Sequence, residues 1–293
     1  MSDQECLAER FQQHRPRLRA VAYRMLGSLS EADDALQEAW LRMSRSDTGD
    51  IANLGGWMRT VVARVSLNML RARKAKREEP LEGRLPDPVV SPDAGADPEY
   101  EVLIADSVGL ALLVVLETLA PAERLAFVLH DMFAVPFDEI AGITGRSPEA
   151  ARQLASRARR RVRNQAPAPD ADVARQRQVV DAFAAAAQEG DFDALVAVLD
   201  PDIVLRVDAG MDGPDESVVV RGARAVAERA RSFAWLSPYA RPVLVNGAVG
   251  AVVAPEGRPY AVLAFTVADG KIVEIDILSD PHRLEALGLS GLA

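Results

Sequence analysis

Two proline-rich breaks divide this chain, and no single core can be drawn across either. Between residues 78 and 106 stand Pro80, Pro86, Pro88, Pro92 and Pro98, together with nine acidic residues and one arginine. Such a stretch buries little apolar surface and reads as linker. A second break, Ala166-Pro167-Ala168-Pro169-Asp170, follows a helical stretch. At roughly 100–200 residues per domain, a chain of 293 residues holds two or three domains, and the breaks set the expected division: 1–77, the linker 78–106, 107–165, and 172–293.

Periodicity gives each segment a character. In the first, Leu7, Phe11, Leu18, Val21, Ala22, Met25 and Leu26 recur near helical spacing, and Ser30 is placed to cap a helix that runs through Trp40. Helices are expected again from about Leu103 to Val162. The last segment begins with an amphipathic helix (Val179, Val180, Phe183, Ala187) and a shorter one around Leu195 to Leu199. Period-two runs follow, Ile203-Val204-Leu205-Arg206-Val207 and Ile272-Val273-Glu274-Ile275-Asp276-Ile277, which read as strands. The expected architecture is multidomain: two all-α domains followed by an α+β domain. No repeat of solenoid period is present.

The net charge of −9 would argue against nucleic-acid binding if it were evenly spread. It is not: residues 167–293 carry 11 basic and 19 acidic residues, whereas residues 1–166 carry 23 and 24, the basic ones clustered. A single cysteine, Cys6, excludes an internal disulfide framework and fits a reducing compartment. His14, His130 and His282 lie far apart in sequence without metal-ligand spacing, so neither metal nor cofactor is expected. The N-terminus lacks a basic region followed by an apolar core, and the best apolar run, Val108 to Leu116, is far short of the ~20 residues of a membrane span. A soluble cytoplasmic protein is expected.

The segment from Asp138 to Ala151 orders a short helix, a turn at Gly145, a capping Ser147 and an N1 Pro148. In the helix that follows, Ala151, Leu154, Ala155, Ala158 and Val162 form an inner stripe. Arg152, Gln153, Ser156, Arg157 and Arg160 then face outward, with side chains suited to base edges and phosphates in a major groove. Seven arginines lie between Arg146 and Arg163. An arginine run alone reads as a solvated face; cap, turn and stripe together make it a candidate DNA-binding helix.

Residues 57–77 form a second basic stretch, with Arg59, Arg64, Arg71, Arg73, Lys74, Lys76 and Arg77 and no acidic residue. It suits a surface that tracks a nucleic-acid backbone, unstacked single strand included. Trp57 at its start is expected in the core. The preceding helix presents Asp33, Asp34, Gln37 and Glu38, a charge that repels DNA and leaves water or a protein as its partner.

These residues resemble a known family. Glu31-Ala32-Asp33-Asp34-Ala35-Leu36-Gln37-Glu38-Ala39-Trp40-Leu41-Arg42 is similar to region 2 of the group 4, extracytoplasmic-function sigma factors. There this helix docks on the β′ clamp of RNA polymerase. The stretch from Gly56 to Arg71 resembles the adjoining part, which captures the melted minus-ten element; the resemblance implies that role for Arg59, Arg64, Asn68, Arg71 and Arg73. From Leu119-Ala120-Pro121-Ala122-Glu123-Arg124 onward, the helix-turn-helix resembles region 4, the reader of the minus-thirty-five element. The resemblance therefore implies core RNA polymerase, through its β and β′ subunits, and promoter DNA as partners, with no membrane involved.

The remainder is similar to a subgroup that carries a C-terminal SnoaL-like extension of the NTF2-like cone fold. Arg77 to Pro88 resembles the subgroup's linker motif, with Arg84 in place of its usual tryptophan. Asp208-Ala209-Gly210-Met211 lies where the subgroup has an Asp followed by glycines, and Asp280-Pro281-His282-Arg283-Leu284 resembles its terminal element. The contacts this implies involve Leu85, Pro86, Asp87, Pro88, Asp208, Asp280 and Pro281. Cone folds host enzymes, ligand binders and interaction modules alike. A catalytic cone needs paired acid–base groups, whereas Asp208 and Asp276 sit in strands without an evident partner and read as structural acids. No catalytic residue is expected; the extension should modulate the sigma domains in cis, with any pocket ligand unspecified. The competing reading is an NTF2-like enzyme or ligand sensor tethered to a DNA-binding repressor, which would need neither the acidic helix nor the Trp57-to-Arg71 block.

Overall fold

The computed structural model describes residues 3–46, 51, 53–75, 84–92, 109–211, 213 and 216–291. They group into two compact units. The first comprises the described residues up to 75 and those from 115 to 165; the second comprises 84–92, 109–114 and 166–291.

In the first unit, α1 (Asp3–Leu26), α2 (Leu29–Met43) and α3 (Leu54–Ala75) pack around one another. Ala32, Ala35 and Ala39 give α2 a smooth buried face, and Met58, Val62 and Leu67 of α3 are fully enclosed as well. The cap of α2 is Ser28, whose Oγ accepts from the Glu31 amide at 3.4 Å, rather than Ser30, which lies within the helix. The cause is Gly27: its left-handed φ of +73° ends α1 and turns the chain into extended geometry at Ser28, the conformation a cap requires.

The same unit contains α4 (Leu110–Glu117) at its last residues, α5 (Pro121–Phe127), one π-helical turn (Val128–Met132), α6 (Phe137–Thr144) and α7 (Pro148–Gln165). The helical stretch expected from about Leu103 thus begins at Leu110, residues 103–108 lying outside the described ones. Two arginines, Arg124 buried and Arg73 half-buried, tie these helices to the first three. Arg124 donates from Nε to the carbonyl of Arg24 at 3.1 Å and from Nη1 to Glu117 at 2.8 Å. Arg73 extends the chain of contacts by pairing with Glu31 and, at 3.8 Å, with Glu117.

In the second unit, α8 (Val173–Glu189), capped by Asp172, and α9 (Phe192–Val198), capped by Asp191, precede a seven-stranded sheet. Its strands are β1 (Val90–Ser91), β2 (Leu199–Asp208), β3 (Val218–Arg221), β4 (Ala240–Val245), β5 (Ala248–Val253), β6 (Ala261–Ala268) and β7 (Lys271–Leu278), in the order β1-β4-β5-β6-β7-β2-β3. Every pair is antiparallel except β2 with β7. Register shifts in the β2–β7 and β6–β7 pairs bend the sheet. The helices α8, α9 and α10 (Ala223–Ser232) pack on this sheet, around Phe183 and Phe265 meeting edge to face at 5.7 Å. A last short helix, α11 (Pro281–Ala286), follows β7. This is the α+β cone that the resemblance implied.

The proline-rich segment differs from plain linker. Val90 and Ser91 pair with β4, and the amide of Val89 donates to Asn246 Oδ1 at 3.0 Å while the Asn246 amide returns to the Val89 carbonyl at 2.8 Å. Linker composition hid this short strand because its partners are more than 150 residues away in sequence.

Gly145 ends α6 at φ +68°, with open space where a Cβ would stand. Gly145→Ala should therefore destabilise the first unit by about 1 kcal/mol through backbone strain alone, read as a lowered urea midpoint of that unit's helical signal.

Candidate functional site

The helix-turn-helix is built as its sequence dictates. Gly145 carries the chain through the left-handed turn, Ser147 Oγ accepts from the Ala150 amide at 3.2 Å, and Pro148 opens α7. Ala151, Leu154, Ala155 and Ala158 are buried, and Val162 is half-buried. Arg152, Gln153, Ser156, Arg157 and Arg160 are all exposed on the opposite face. Arg152 pairs with Glu149 at 3.1 Å and Arg157 with Glu123 at 3.0 Å, contacts that leave more than half of each arginine side chain in solvent. Arg159 and Arg161 instead turn back to Asp131 and to the Thr118 carbonyl, so not every arginine of the run belongs to the outer face.

On α3, Arg64, Asn68 and Arg71 are exposed along one side. Arg59 pairs with Glu139 of α6 at 3.4 Å, and Arg64 donates to the Gly142 carbonyl at 3.3 Å. Arg73 is engaged by Glu31 and Glu117 and stands apart from that exposed row. Trp57 is half-buried, not a core residue, and lies in the first turn of α3. Lys76 and Arg77 lie outside the described residues.

On α2, Asp34 and Gln37 are exposed. Asp33 receives a two-pronged hydrogen bond from Arg19, both contacts at 2.9 Å, and Glu38 pairs with Arg42 at 2.8 Å. The acidic face is thus half committed to neighbouring cations and half open.

Residues 10–76 match the Sigma-70 region 2 family, and residues 109–162 match Sigma-70, region 4. The chain is 40% identical to the ECF RNA polymerase sigma factor SigJ of Mycobacterium tuberculosis, over 93% of this chain and 91% of that protein. It is 36% identical to a probable ECF RNA polymerase sigma factor, SigI, of the same species over 98% of each. The chain belongs to the ECF RNA polymerase sigma factors. The crystal structure of M. tuberculosis SigJ superposes with a TM-score of 0.78, covering 94% of this chain and 97% of that one, so the likeness extends through the C-terminal α+β part. Regions 2 and 4 make the protein a subunit that binds core RNA polymerase and recognises promoter DNA.

In this sigma factor the C-terminal unit grips part of the linker. The Leu85 amide donates to Asp208 Oδ2 at 2.8 Å. Arg283, on α11, donates to the Leu85 carbonyl at 2.7 Å and pairs with Asp87 at 2.6 Å and with Asp208 at 2.5 Å. Asp280 orients that helix by capping it, accepting from the amides of His282 and Arg283, with Pro281 at N1. Leu85 itself is buried. Residues 78–83 of the linker motif lie outside the described residues. Asp208 and Asp276, read as structural acids without an evident partner, are both engaged: Asp208 holds Leu85 and Arg283, and Asp276 pairs with Arg206 at 2.9 Å. Sequence spacing conceals both, since each partner comes from a different strand or helix.

Arg283 and Asn246 are the clamp residues that sequence reasoning missed. The first stands three residues after the capping Asp280; the second belongs to an Asn-Gly pair between two apolar runs, a hairpin signal that places it at the β4–β5 turn.

Arg206 lies between Glu274 and Asp276, 2.9 Å from each. Burial pushes the Asp276 carboxyl up to about 6; Arg206 opposes this, and the nearby Glu274 charge adds to it. One cation shared by two carboxylates leaves an excess negative charge, which favours proton uptake. Burial works against the Arg206 charge, but the two carboxylates outweigh it and keep that guanidinium above its ordinary pKa. Among the described residues, no group of His, Cys, Asp and Glu could hold a metal ion, and no helix is long and apolar enough to cross a membrane.

Between the ordinary aspartate value of 3.8 and about 6, the folded chain keeps a proton on Asp276 that the unfolded chain has lost. This group's contribution is therefore full below the lower value and lost as pH rises through the upper one. Asp276→Asn should flatten the fall in melting temperature across that interval, measured by calorimetry of parent and variant side by side.

Proposed function

We propose that this sigma factor reads the minus-thirty-five element with α7, captures the minus-ten element with α3, and is modulated in cis by its C-terminal unit through the linker. The observation that carries the last point is the Arg283 clamp, which builds residues 85–91 into the second unit. Those residues lie in the only stretch of chain joining region 2 to region 4. Fixing them limits how far the two regions can separate.

The roles of individual residues follow from what the structure leaves open. Arg152, Gln153, Ser156, Arg157 and Arg160 provide the base-edge and phosphate contacts of α7, and Arg64, Asn68 and Arg71 the backbone-tracking row of α3, with Arg59 joining once free of Glu139. Arg73 acts as a structural tie rather than a free DNA contact, because two carboxylates already hold it. Asp34, Gln37, Glu38 and Asp33 form the acidic surface for the β′ subunit, with the β subunit engaged by the rest of the sigma domains. The division into 1–77, 78–106, 107–165 and 172–293 serves as the functional one. The protein works in the cytoplasm and catalyses no reaction of its own. A tethered repressor would not need region 2, so that reading loses its support.

Two minus-ten candidates, Arg59 and Arg64, are engaged by α6 within the first unit. Promoter capture requires them to exchange those partners for DNA, so a clamp that restrains the linker favours the closed arrangement. Arg283→Ala should raise promoter-dependent transcript yield from purified core polymerase at equal sigma concentration. An unchanged yield would overturn the cis role. In the same assay, Arg152→Ala should cost about 1–3 kcal/mol of binding at one promoter position if it reads a base; equal losses across a panel of single-position variants would make it a phosphate contact.

A further inference from the structure

The second unit contains a pocket of about 220 Å³ between the curved sheet and its helices. Its wall is mostly apolar, with Phe183, Leu205, Val226, Leu263, Phe265 and Ile277 among its side chains. Strand alternation explains why: Ile275, Ile277 and Ser279 line the pocket, whereas Glu274 and Asp276, between them in sequence, do not and pair instead with Arg206. Among the described residues no carboxylate or histidine contributes to the wall, and the one ionised group there, Arg229, lies 5.3 Å over the ring of Phe233.

Gln188, Arg229, Ser237, Tyr260 and Ser279 are the polar members of the lining, and of these Ser279 alone is fully buried. Ser279 is 2% exposed, lines the pocket, and its hydroxyl has no hydrogen-bond partner among the described residues. Buried hydroxyls are rarely left unmatched. Ser279 also adjoins the linker clamp: its amide donates to the Asp208 carbonyl at 2.8 Å, and the next residue, Asp280, caps the helix that carries Arg283.

We infer that this pocket binds a small, uncharged, largely apolar molecule whose single hydroxyl or carbonyl oxygen bonds to Ser279, and that occupancy is transmitted to the linker clamp through Asp208 and Asp280. The second half rests on the cis role proposed above; the first does not. Size sets the class: a cavity of roughly 150 Å³ accepts benzene, so this one suits a bicyclic ring or its aliphatic equivalent. With no carboxylate or histidine among the described lining residues to pair with Tyr260, the wall suits binding better than proton transfer.

The test uses the full chain and three probes of one size, 1-naphthol, naphthalene and 1-naphthoate, titrated by calorimetry at neutral pH. 1-Naphthol should bind one to one and about fivefold more tightly than naphthalene, the difference made by one neutral hydrogen bond. Ser279→Ala should erase that difference while keeping naphthalene affinity. Ala251→Phe, which fills the pocket, should abolish both, with circular dichroism and melting temperature confirming that the variant is folded. Binding of none of the probes, or undiminished binding to folded Ala251→Phe, overturns the site; equal affinity of naphthol and naphthalene overturns the Ser279 contact. Tighter binding of 1-naphthoate overturns the uncharged class and assigns recognition to Arg229. Transmission is read separately, as hydrogen exchange of the Leu85 and Val89 amides with and without saturating 1-naphthol. A changed rate supports the coupling and an unchanged rate overturns it. Neither result depends on transcription, so failure here is distinct from failure of the cis role, which the Arg283→Ala yield decides.

Discussion

Arg283 connects parts of the chain that its sequence keeps far apart. Its guanidinium meets the carbonyl of Leu85 and the carboxylates of Asp87 and Asp208, and Asp87 lies 196 residues before it. A planar fork of five donors can satisfy three acceptors at once, which a lysine ammonium on its flexible stem does with much less geometric definition. The two carboxylates need that cation. With side chains mostly withdrawn from water, Asp87 and Asp208 would otherwise repel one another across a poorly solvated gap. The contact therefore sets where the linker runs, and the Val89–Asn246 pair and the short β1–β4 ladder extend the same attachment.

The first unit uses charge similarly, but inside a helical core. Arg73, Glu31, Glu117, Arg124 and the backbone of Arg24 form one connected group across α1 to α5. Because Arg124 is almost fully buried, its contacts are specific to one arrangement of these helices, and losing any acceptor would strand a buried donor. The weaker contacts of Arg59 and Arg64 with α6 are of another kind: exposed or half-exposed, and replaceable by phosphate at little cost. Rigid ties and exchangeable ones thus coexist in the same unit. That combination suits a protein whose helices must keep their own shape while their basic faces change partners.

Local signals were the legible part of the sequence. The turn at Gly145, the cap at Ser147, the inner stripe of α7 and the strands around Ile203 and Ile272 all depend on residues within a few positions of one another, and the structure has them. The acidic stretch after α3 showed its composition but not its strand, since pairing with β4 is a property of Asn246 and its neighbours. The individual partners of Asp208 and Asp276 were hidden for the same reason. Even the misplaced cap of α2 is instructive: Ser28 and Ser30 are equivalent as residue types, and only the left-handed Gly27 decides between them.

The sheet of the second unit separates two chemistries by strand parity alone. Along β2 and β7, Leu205, Val207, Ile275 and Ile277 face the pocket, while Arg206, Glu274 and Asp276 form an ion cluster away from it. A shift of one residue in either strand would exchange the two sets, placing carboxylates against an apolar wall and isoleucines where Arg206 needs its partners. The ion cluster thus fixes register as well as charge, and its three members can be satisfied only in the alignment that leaves the pocket apolar. Ser279 is the next pocket-facing position after Ile275 and Ile277, at the point where β7 gives way to the turn before α11. Its place at the pocket wall and its place beside the clamp are therefore consequences of one register.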